Sequence, residues 1–355
     1  TMNHDWQSEG AILRCARCRI AANPAFVDVE TLPVGCHAVG APPLAQPAAV
    51  DRPTRLPGRL AVITCHFNPA GWRSLEVNYR RFLQAMTWWE LPVYSAEVLF
   101  PGQSMLSISP TRVGAARRIL QAGPQHILWQ KERLLNLLVE QLPPDVDKVA
   151  WIDADVLFLD GAWPERLCAE LERRPVVQLW DRWHCTDAVG CVGEVLNSVG
   201  PGGERYGKQQ ASPGGAWAAR RDVFPLYDRH IVGSGDAMAL EAWLGLSESY
   251  CMSCMTDAMR ADYAVWQQDA WRKVQGSIGA LPGDLVHLYH GTRRNRRYVD
   301  RWRPVLAAGY DPRQHVSVDE QGLLAWTDSA PTNLVKFVRE YFTLRQEDEG
   351  LPTAA

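Results

Sequence analysis

The chain has 355 residues, of which 46% are apolar and 22% are charged, and its formal net charge is −3. This length suits one large α/β domain with appendages or two modest domains, and the near balance of charge argues against a generally basic nucleic-acid-binding protein. We find no signal peptide and no apolar run long enough to span a bilayer. Nine cysteines without a regular framework favour reduced thiols, so we expect a cytoplasmic protein with no obligate protein partner.

The amino-terminal segment, residues 1–40, shows little helical periodicity but contains several residues that bind zinc in other proteins. The candidate ligands are Cys15, Cys18, Cys36 and His37. The first two have the spacing of a zinc knuckle, and a region this short needs such a staple to be stable. Because the side chains of the adjacent residues Cys36 and His37 diverge, His4 is an alternative to His37 as the fourth ligand. The competing interpretation is that these cysteines are unligated thiols.

Beyond this segment the sequence divides into a linker, a domain and an extension. Prolines are dense in residues 41–58, which predicts an extended linker. Residues 59–300 have an α/β pattern, and residues 301–355 are expected to form a helical extension and a polar tail. The predicted elements are a strand at 60–65, a helix at 75–86, a strand at 93–100, a helix at 127–142, a strand at 148–159 and an amphipathic helix through 336–342.

This alternation of strands and helices predicts a mainly parallel sheet flanked by helices and joined by right-handed crossovers. In such sheets ligands bind beyond the carboxyl ends of the strands. Polar side chains at those ends are therefore the candidates for a ligand-binding site.

Two acids interrupt the most apolar predicted strand, whose residues 149–158 read Val-Ala-Trp-Ile-Asp-Ala-Asp-Val-Leu-Phe. On a strand, Asp153 and Asp155 would point to the same side and could share one site. Two buried like charges require a cation or protons, and oxygen ligands suit Mn²⁺ or Mg²⁺. The competing interpretation is a pair of acids that cap a helix or pair with arginine.

The Trp-Ile-Asp-Ala-Asp sequence at 151–155 resembles the DxD motif of GT-A glycosyltransferases, and the resemblance covers residues 59–298. It implies a GT-A (Rossmann-like) fold and a metal-dependent hexosyltransferase that uses a nucleotide-sugar. In that family the motif holds a divalent ion on the diphosphate of the donor. The resemblance makes Asp155 the direct metal ligand and Asp153 a ribose or metal contact, and it favours a UDP-sugar because most DxD enzymes use UDP.

The resemblance also implies donor-binding residues elsewhere in the domain. The Lys-and-Asn helix that contacts the donor in the family corresponds to residues 130–136, which makes Lys131 a candidate unless it lies on an exposed helix face. The segment from Thr64 to Asn68 ends the first strand, where the family binds its nucleotide. Gly214 and Gly215 resemble the small-residue segment that shapes the sugar pocket and allow close backbone approach, although a plain turn would also explain them.

Asp236 is the candidate general base. Residues 233–237, Gly-Ser-Gly-Asp-Ala, resemble the glycine-flanked acidic segment that opens a helix in inverting, galactosyltransferase-like members. There an acid deprotonates the acceptor hydroxyl. The usual Gly-Trp-Gly-x-Glu-Asp sequence is absent, so the stereochemical outcome stays open, and an N-cap role for Asp236 predicts the same residues.

Two histidines near the end of the domain are candidate metal ligands. His287 and His290 resemble the carboxyl-terminal histidine that many GT-A enzymes add to the metal site. Because they are three apart, they face opposite sides of a predicted strand unless it bends, so we expect only one to ligate. Four arginines follow and could clamp a diphosphate: Arg293, Arg294, Arg296 and Arg297. A solvated loop or a contact with nucleic acid are the alternatives.

The residues described above are compatible with three functional hypotheses. The first is sugar transfer to a saccharide, and the second is glycosylation of a hydroxylated DNA base, which would have to be flipped out of a duplex. The third is an inactive zinc-bearing binding module with a GT-A-like domain. A nucleotidyltransferase is disfavoured because residues 64–71 contain no Gly-rich phosphate loop.

Overall fold

The structure is a computed structural model that describes residues 54–106, 116–208 and 210–351, together with the backbone of three short amino-terminal strands. These strands are β1 (Trp6–Glu9), β2 (Ile12–Cys15) and β3 (Ala21–Ala22), and they pair antiparallel in that order.

From residue 54 onward, strands and helices alternate along most of the chain. They are β4 (Arg59–Phe67), α1 (Arg73–Met86), β5 (Val93–Leu99), β6 (Ala116–Gln121), α2 (Lys131–Gln141), β7 (Val146–Ile152), β8 (Val156–Phe158), α3 (Trp163–Arg173), β9 (Val176–Gln178), β10 (Arg182–Thr186), β11 (Val192–Asn197), β12 (Ala216–Arg220), α4 (Gly235–Trp243), α5 (Tyr250–Ser253), α6 (Asp257–Val274), β13 (Ile278–Ala280), β14 (Asp284–His287), α7 (Trp302–Ala307), β15 (Val316–Val318), β16 (Leu324–Trp326) and α8 (Thr332–Leu344).

A seven-stranded sheet forms the centre of the molecule, in the order β13-β9-β12-β7-β4-β5-β6. All neighbours in it are parallel except β12, which runs antiparallel to β9 and β7. A second sheet has the order β11-β10-β14-β8, and β15 pairs with β16. The prediction of an α/β fold with a mainly parallel sheet is confirmed.

The core lies on both faces of the central sheet, as alternation along β4 requires. Ala61 and Ile63 belong to a cluster that includes buried residues of α2, α4, α6 and α8, whereas Leu60 and Val62 belong to a cluster with α1 and α3. Five tryptophans are almost completely buried in these clusters: Trp163, Trp180, Trp217, Trp243 and Trp302. Full burial of a large apolar side chain contributes roughly 1.5–3 kcal/mol, so both faces stabilise the sheet.

The prediction of one strand over 148–159 is wrong, because the structure has two shorter strands, β7 and β8, in this region. Strand β7 ends at Ile152, and residues 153–155 form a turn in which the backbone N–H of Val156 donates to the carbonyl of Asp153 (3.3 Å). Strand β8 then pairs with β14 in the second sheet. The chain leaves one sheet for another at this point, so the alternation expected of one long strand does not apply to the two acids.

The predicted helix at 127–142 starts later than expected, at Lys131. The backbone N–H of Trp129 donates to the carbonyl of Ile231 (3.2 Å). The Gln130 amide donates to the carbonyl of Leu324 (2.8 Å). These long-range bonds hold the preceding residues outside the helix and place Lys131 at its first turn.

Arg221 joins the end of α2 to the beginning of β7. Its guanidinium donates to the backbone carbonyls of Pro143 (2.7 Å), Leu142 (2.9 Å), Val139 (3.0 Å) and Val146 (3.3 Å). We expect Arg221→Ala to lower the free energy of unfolding by about 2–4 kcal/mol. Hydrogen bonds from charged donors contribute more to stability than neutral ones, and the substitution leaves these carbonyls without a partner.

Chemical denaturation of the two proteins measures this difference. Arg272→Ala is the matched control, since that side chain is 73% exposed and its ion pair is with Asp269. We expect the control to stay within about 0.5 kcal/mol of wild type. A loss for Arg221→Ala no larger than that of the control would contradict the anchoring role.

Among the residues that the structure describes, no helix combines the length and the apolar character that a membrane span requires.

Candidate functional site

A cavity of about 910 Å³ lies at the carboxyl ends of β4 and β7, the position expected for a ligand in a sheet of this kind. Most of the residues proposed from the sequence line it. These are Thr64, Asn68, Lys131, Asp153, Asp155, Gly214, Asp236, His287, His290 and Arg293. A cavity of this size accommodates a ligand of several hundred daltons.

Asp155 and the two histidines converge on one point of the cavity wall. The Oδ2 atom of Asp155 lies 2.7 Å from Nε2 of His290 and 3.6 Å from Nε2 of His287. The two Nε2 atoms are 3.1 Å apart. The expectation that the histidines face opposite sides is wrong, because β14 ends at His287 and the chain then turns, with the backbone N–H of Leu288 bonded to the carbonyl of Asp155 (2.7 Å).

These three groups fit a divalent cation. Their ligand atoms all lie within 4.8 Å of one another. The Oδ1 atom of Asp155 is buried and has no hydrogen-bond partner, which is costly unless something positive binds it. One carboxylate and two imidazoles suit Mn²⁺ and other first-row divalent ions.

Protonation at this cluster follows from burial and neighbouring charge. Burial opposes ionisation of Asp155, but His290 and His287 outweigh it and hold the pKa of that carboxyl well below its usual value. Burial lowers the pKa of His287 and favours the neutral imidazole, which is the form that ligates metals. Burial and Arg296 oppose the charged form of His290, whereas Glu347 and Asp155 outweigh them and raise its pKa.

Lys131, the first residue of α2, organises a second cluster beside the first. Its Nζ atom lies 2.6 Å from Oδ1 of Asp153 and 3.0 Å from Oδ2 of Asp236. Burial lowers the pKa of Lys131, but the two carboxylates outweigh it and raise the pKa well above the usual value. Burial raises the pKa of Asp153 to about 7 and also raises that of Asp236, in both cases against the attraction of Lys131.

The two acids of the Asp-x-Asp sequence therefore have different partners. Asp153 pairs with Lys131, whereas Asp155 faces the histidines, because the turn after β7 points the two side chains in different directions. The capping alternative for Asp236 is wrong: Ser234 is the N-cap of α4, and the Asp236 carboxylate pairs with Lys131.

Two predicted donor-binding residues, Thr64 and Asn68, are held in the wall of the cavity by hydrogen bonds to the backbone. Thr64 donates from Oγ1 to the carbonyl of Ile152 (2.8 Å). The Asn68 side chain donates to the carbonyl of Trp72 (2.7 Å) and accepts from its backbone N–H (2.9 Å), which closes the turn after β4. Both are buried. Thr64 joins β4 to the end of β7, whereas Asn68 braces the loop that follows β4.

Two predicted residues do not line the cavity among the described residues. Gly215 has φ 98°, a backbone conformation that favours glycine, and its carbonyl accepts from the backbone N–H of Asp153 (2.8 Å). Arg294 lines a separate depression. Arg293 does line the cavity and pairs with Glu194 (2.9 Å).

The site also contains residues that sequence reasoning missed. Trp129 and Phe342 stack with ring centroids 6.5 Å apart. Glu347 is 1% exposed and lies 2.6 Å from Nδ1 of His290. The sequence predicts a polar tail after the last helix, and the polar run Arg-Gln-Glu-Asp-Glu at 345–349 contains no signal that one of its acids would be buried in the site.

The candidate zinc ligands Cys15, Cys18, Cys36 and His37 lie outside the residues whose side chains the structure describes. The zinc knuckle stays a prediction.

No protein-family model matches the chain, and no curated protein sequence matches it. Solved structures that resemble it include residues 1–349 of Staphylococcus aureus TarS, with 9% identity, 82% of this chain and 72% of that chain covered, and a TM-score of 0.36. Another is Drosophila β1,4-galactosyltransferase 7 in complex with manganese, UDP-Gal and xylobiose, with 12% identity, coverage of 79% and 98%, and a TM-score of 0.36. A third is Mycobacterium tuberculosis glucosyl-3-phosphoglycerate synthase, with 12% identity, coverage of 77% and 89%, and a TM-score of 0.33.

Proposed function

We propose that this protein is a metal-dependent glycosyltransferase that transfers a sugar from a nucleotide-sugar, with UDP-sugars the first donors to test, to a hydroxyl group of a saccharide. One observation carries the proposal. Asp155, His287 and His290 form a cation-binding cluster in the same cavity as the Lys131–Asp236 pair, at the carboxyl ends of the central strands.

The chain's own residues would bind the diphosphate end of the donor. Asp155 and the two histidines would hold Mn²⁺, which when bound neutralises charge on a departing nucleoside diphosphate. Arg293 and Arg296 line the same cavity. Guanidinium groups donate paired N–H bonds to phosphate oxygens, so both arginines would orient the donor.

Asp236 is suited to accept the proton of the acceptor hydroxyl. It is ion-paired with Lys131, while burial raises its pKa and makes the carboxylate a better proton acceptor. In the reaction the acceptor oxygen bonds to the anomeric carbon and its proton passes to Asp236. The bond from that carbon to the diphosphate oxygen breaks, and its electron pair leaves with the diphosphate.

Aromatic residues on the cavity wall support a sugar ligand. Phe67, Trp129 and Phe342 all line the cavity, and Phe67 packs edge-on against both of the others. Aromatic faces combine large apolar area with a fixed geometry. The apolar face of a pyranose ring can pack on such a surface while its hydroxyls reach the polar groups nearby.

A nucleotide-sugar screen tests the proposal. Purified protein is incubated with individual UDP-sugars and other nucleotide-sugars, with Mn²⁺ or with a chelator, and release of the nucleoside diphosphate is measured. We expect Mn²⁺-dependent release from one donor and acceleration by an oligosaccharide acceptor. Absence of donor binding and turnover with Mn²⁺ present would contradict the proposal.

The acceptor is tested in the same assay with duplex DNA that contains hydroxymethylated bases. Acceleration by this DNA and by no oligosaccharide would replace the saccharide with a DNA acceptor. Donor binding without any turnover would instead indicate the inactive binding module.

A further inference from the structure

The end of α8 and the residues after it lie between two loops of the cavity, one before α1 and one that carries His290. We call residues 342–349 the C-terminal segment. The Trp72 indole N–H donates to the carbonyl of Phe342 (3.0 Å). The Asp348 carboxylate accepts from the backbone N–H groups of Arg73 (2.9 Å) and Ser74 (2.7 Å), where it caps the start of α1.

On its other side the C-terminal segment packs against the loop that carries His290. The Tyr289 hydroxyl donates to the carbonyl of Glu349 (2.6 Å). Gly291 has φ 84°, and a Cβ at this position would lie 2.9 Å from the carbonyl oxygen of Gln346. Only a glycine permits this approach, so the C-terminal segment lies directly against the residue after His290.

This packing places the Glu347 carboxylate on the far side of the His290 ring from the cation cluster. Its Oε2 atom lies 2.6 Å from Nδ1 of His290, and its other oxygen pairs with Arg345. Glu347 is buried. Paired with Arg345, the Glu347 carboxylate accepts the hydrogen bond from Nδ1 of His290.

The opposite nitrogen of His290, Nε2, faces the cation cluster and lies 2.7 Å from Oδ2 of Asp155. The Arg296 guanidinium approaches Nε2 at 2.7 Å, closer than it approaches Nδ1 (3.2 Å). A neutral imidazole has one N–H and one lone pair. Because a carboxylate accepts at Nδ1, a neutral imidazole in this position carries its proton on Nδ1. Its lone pair is then on Nε2, where a cation held beside Asp155 would meet it.

We propose that Glu347 is a positioning residue that fixes the tautomer and orientation of His290, so that its Nε2 lone pair is presented to the cation. This inference rests on the cation site of the proposed function. A carboxylate bonded to the second nitrogen of a ligating histidine orients the ring and raises its basicity. The C-terminal segment is thereby part of the cation site, although Glu347 lies 57 positions beyond His290.

Calorimetric titration of the metal-free full chain with Mn²⁺ tests the role of Glu347. We expect Glu347→Gln to weaken Mn²⁺ binding by about 10-fold to 100-fold, the usual effect of losing such a partner. The matched control is Glu349→Gln in the same C-terminal segment, whose carboxylate bonds to Asn295 (2.6 Å) and to Thr292 (3.3 Å). We expect the control to bind Mn²⁺ as wild type does.

A second measurement does not depend on the variant's stability. In the wild-type protein labelled with ¹⁵N-histidine and loaded with diamagnetic Zn²⁺, we expect a proton on Nδ1 of His290 and none on Nε2. Comparison with His290→Gln assigns the signal. A proton on Nε2 in the wild type, or Mn²⁺ affinity in Glu347→Gln equal to that of the control, overturns the inference and leaves the cation site standing. Absence of any Mn²⁺ binding by the wild type overturns the cation site itself.

Discussion

Asp155→Ala is expected to abolish Mn²⁺ binding and to reduce Mn²⁺-dependent donor turnover by at least about 100-fold, because a bound metal contributes several kcal/mol of charge stabilisation. Asp155 is the carboxylate in the cluster, and its Oδ1 atom has no other partner. The substitution removes the negative charge that attracts the cation and leaves two imidazoles alone. Calorimetry with Mn²⁺ and the nucleotide-sugar assay measure the two effects.

The matched control for this experiment is Asp284→Asn. Asp284 lies on β14, as His287 does, and its carboxylate is 3.0 Å from His184 and 2.9 Å from Arg182. It is an aspartate–histidine pair outside the cavity. We expect the control to retain Mn²⁺ binding and turnover, and unchanged Mn²⁺ affinity in Asp155→Ala would end the metal assignment.

Asp236→Asn is expected to lower the transfer rate by at least about 100-fold, since an amide cannot accept the acceptor's proton. Mn²⁺ affinity should stay at the wild-type value, because Asp236 faces Lys131 and not the histidines. This combination separates a general base from a cation ligand. The measurement is the transfer rate at saturating donor and acceptor, together with Mn²⁺ titration of the same preparation.

Asp257→Asn is the control for a purely structural effect. Asp257 begins α6 as an exposed acid, so it matches the place of Asp236 in the first turn of α4. We expect this control to transfer sugar at the wild-type rate. A fall in the thermal midpoint of Asp236→Asn with an unchanged transfer rate would show that Asp236 serves stability alone.

The α/β pattern of this protein could be predicted because buried strands of a parallel sheet are continuous apolar runs. The runs at 60–65 and 93–100 correspond to β4 and β5, and the helix at 75–86 corresponds to α1. Boundaries were predicted less well, because long-range bonds decide them. Gln130 is held outside α2 by Leu324, and β8 is drawn into a second sheet by β14.

The location of the candidate site also followed from the sequence. In a parallel sheet the carboxyl ends of the strands meet at one edge, so acids after β7 and polar residues after β4 had to be neighbours. Lys131 and Asp236 were each recognised as candidates, but their ion pair was not predicted. It depends on how α2 and α4 pack, which periodicity in either segment cannot show.

Local sequence therefore determined the sheet, its helices and the edge at which polar side chains gather, because short-range apolar patterns and chain direction specify them. Tertiary structure alone decided the partner of each charged group. Asp153 turned to Lys131 and Asp155 to the histidines because the chain changes sheets between β7 and β8. Glu347 reached His290 because the C-terminal segment folds back against Gly291. Such contacts depend on how distant parts of the chain pack together, and the local pattern of apolar and polar residues does not predict them.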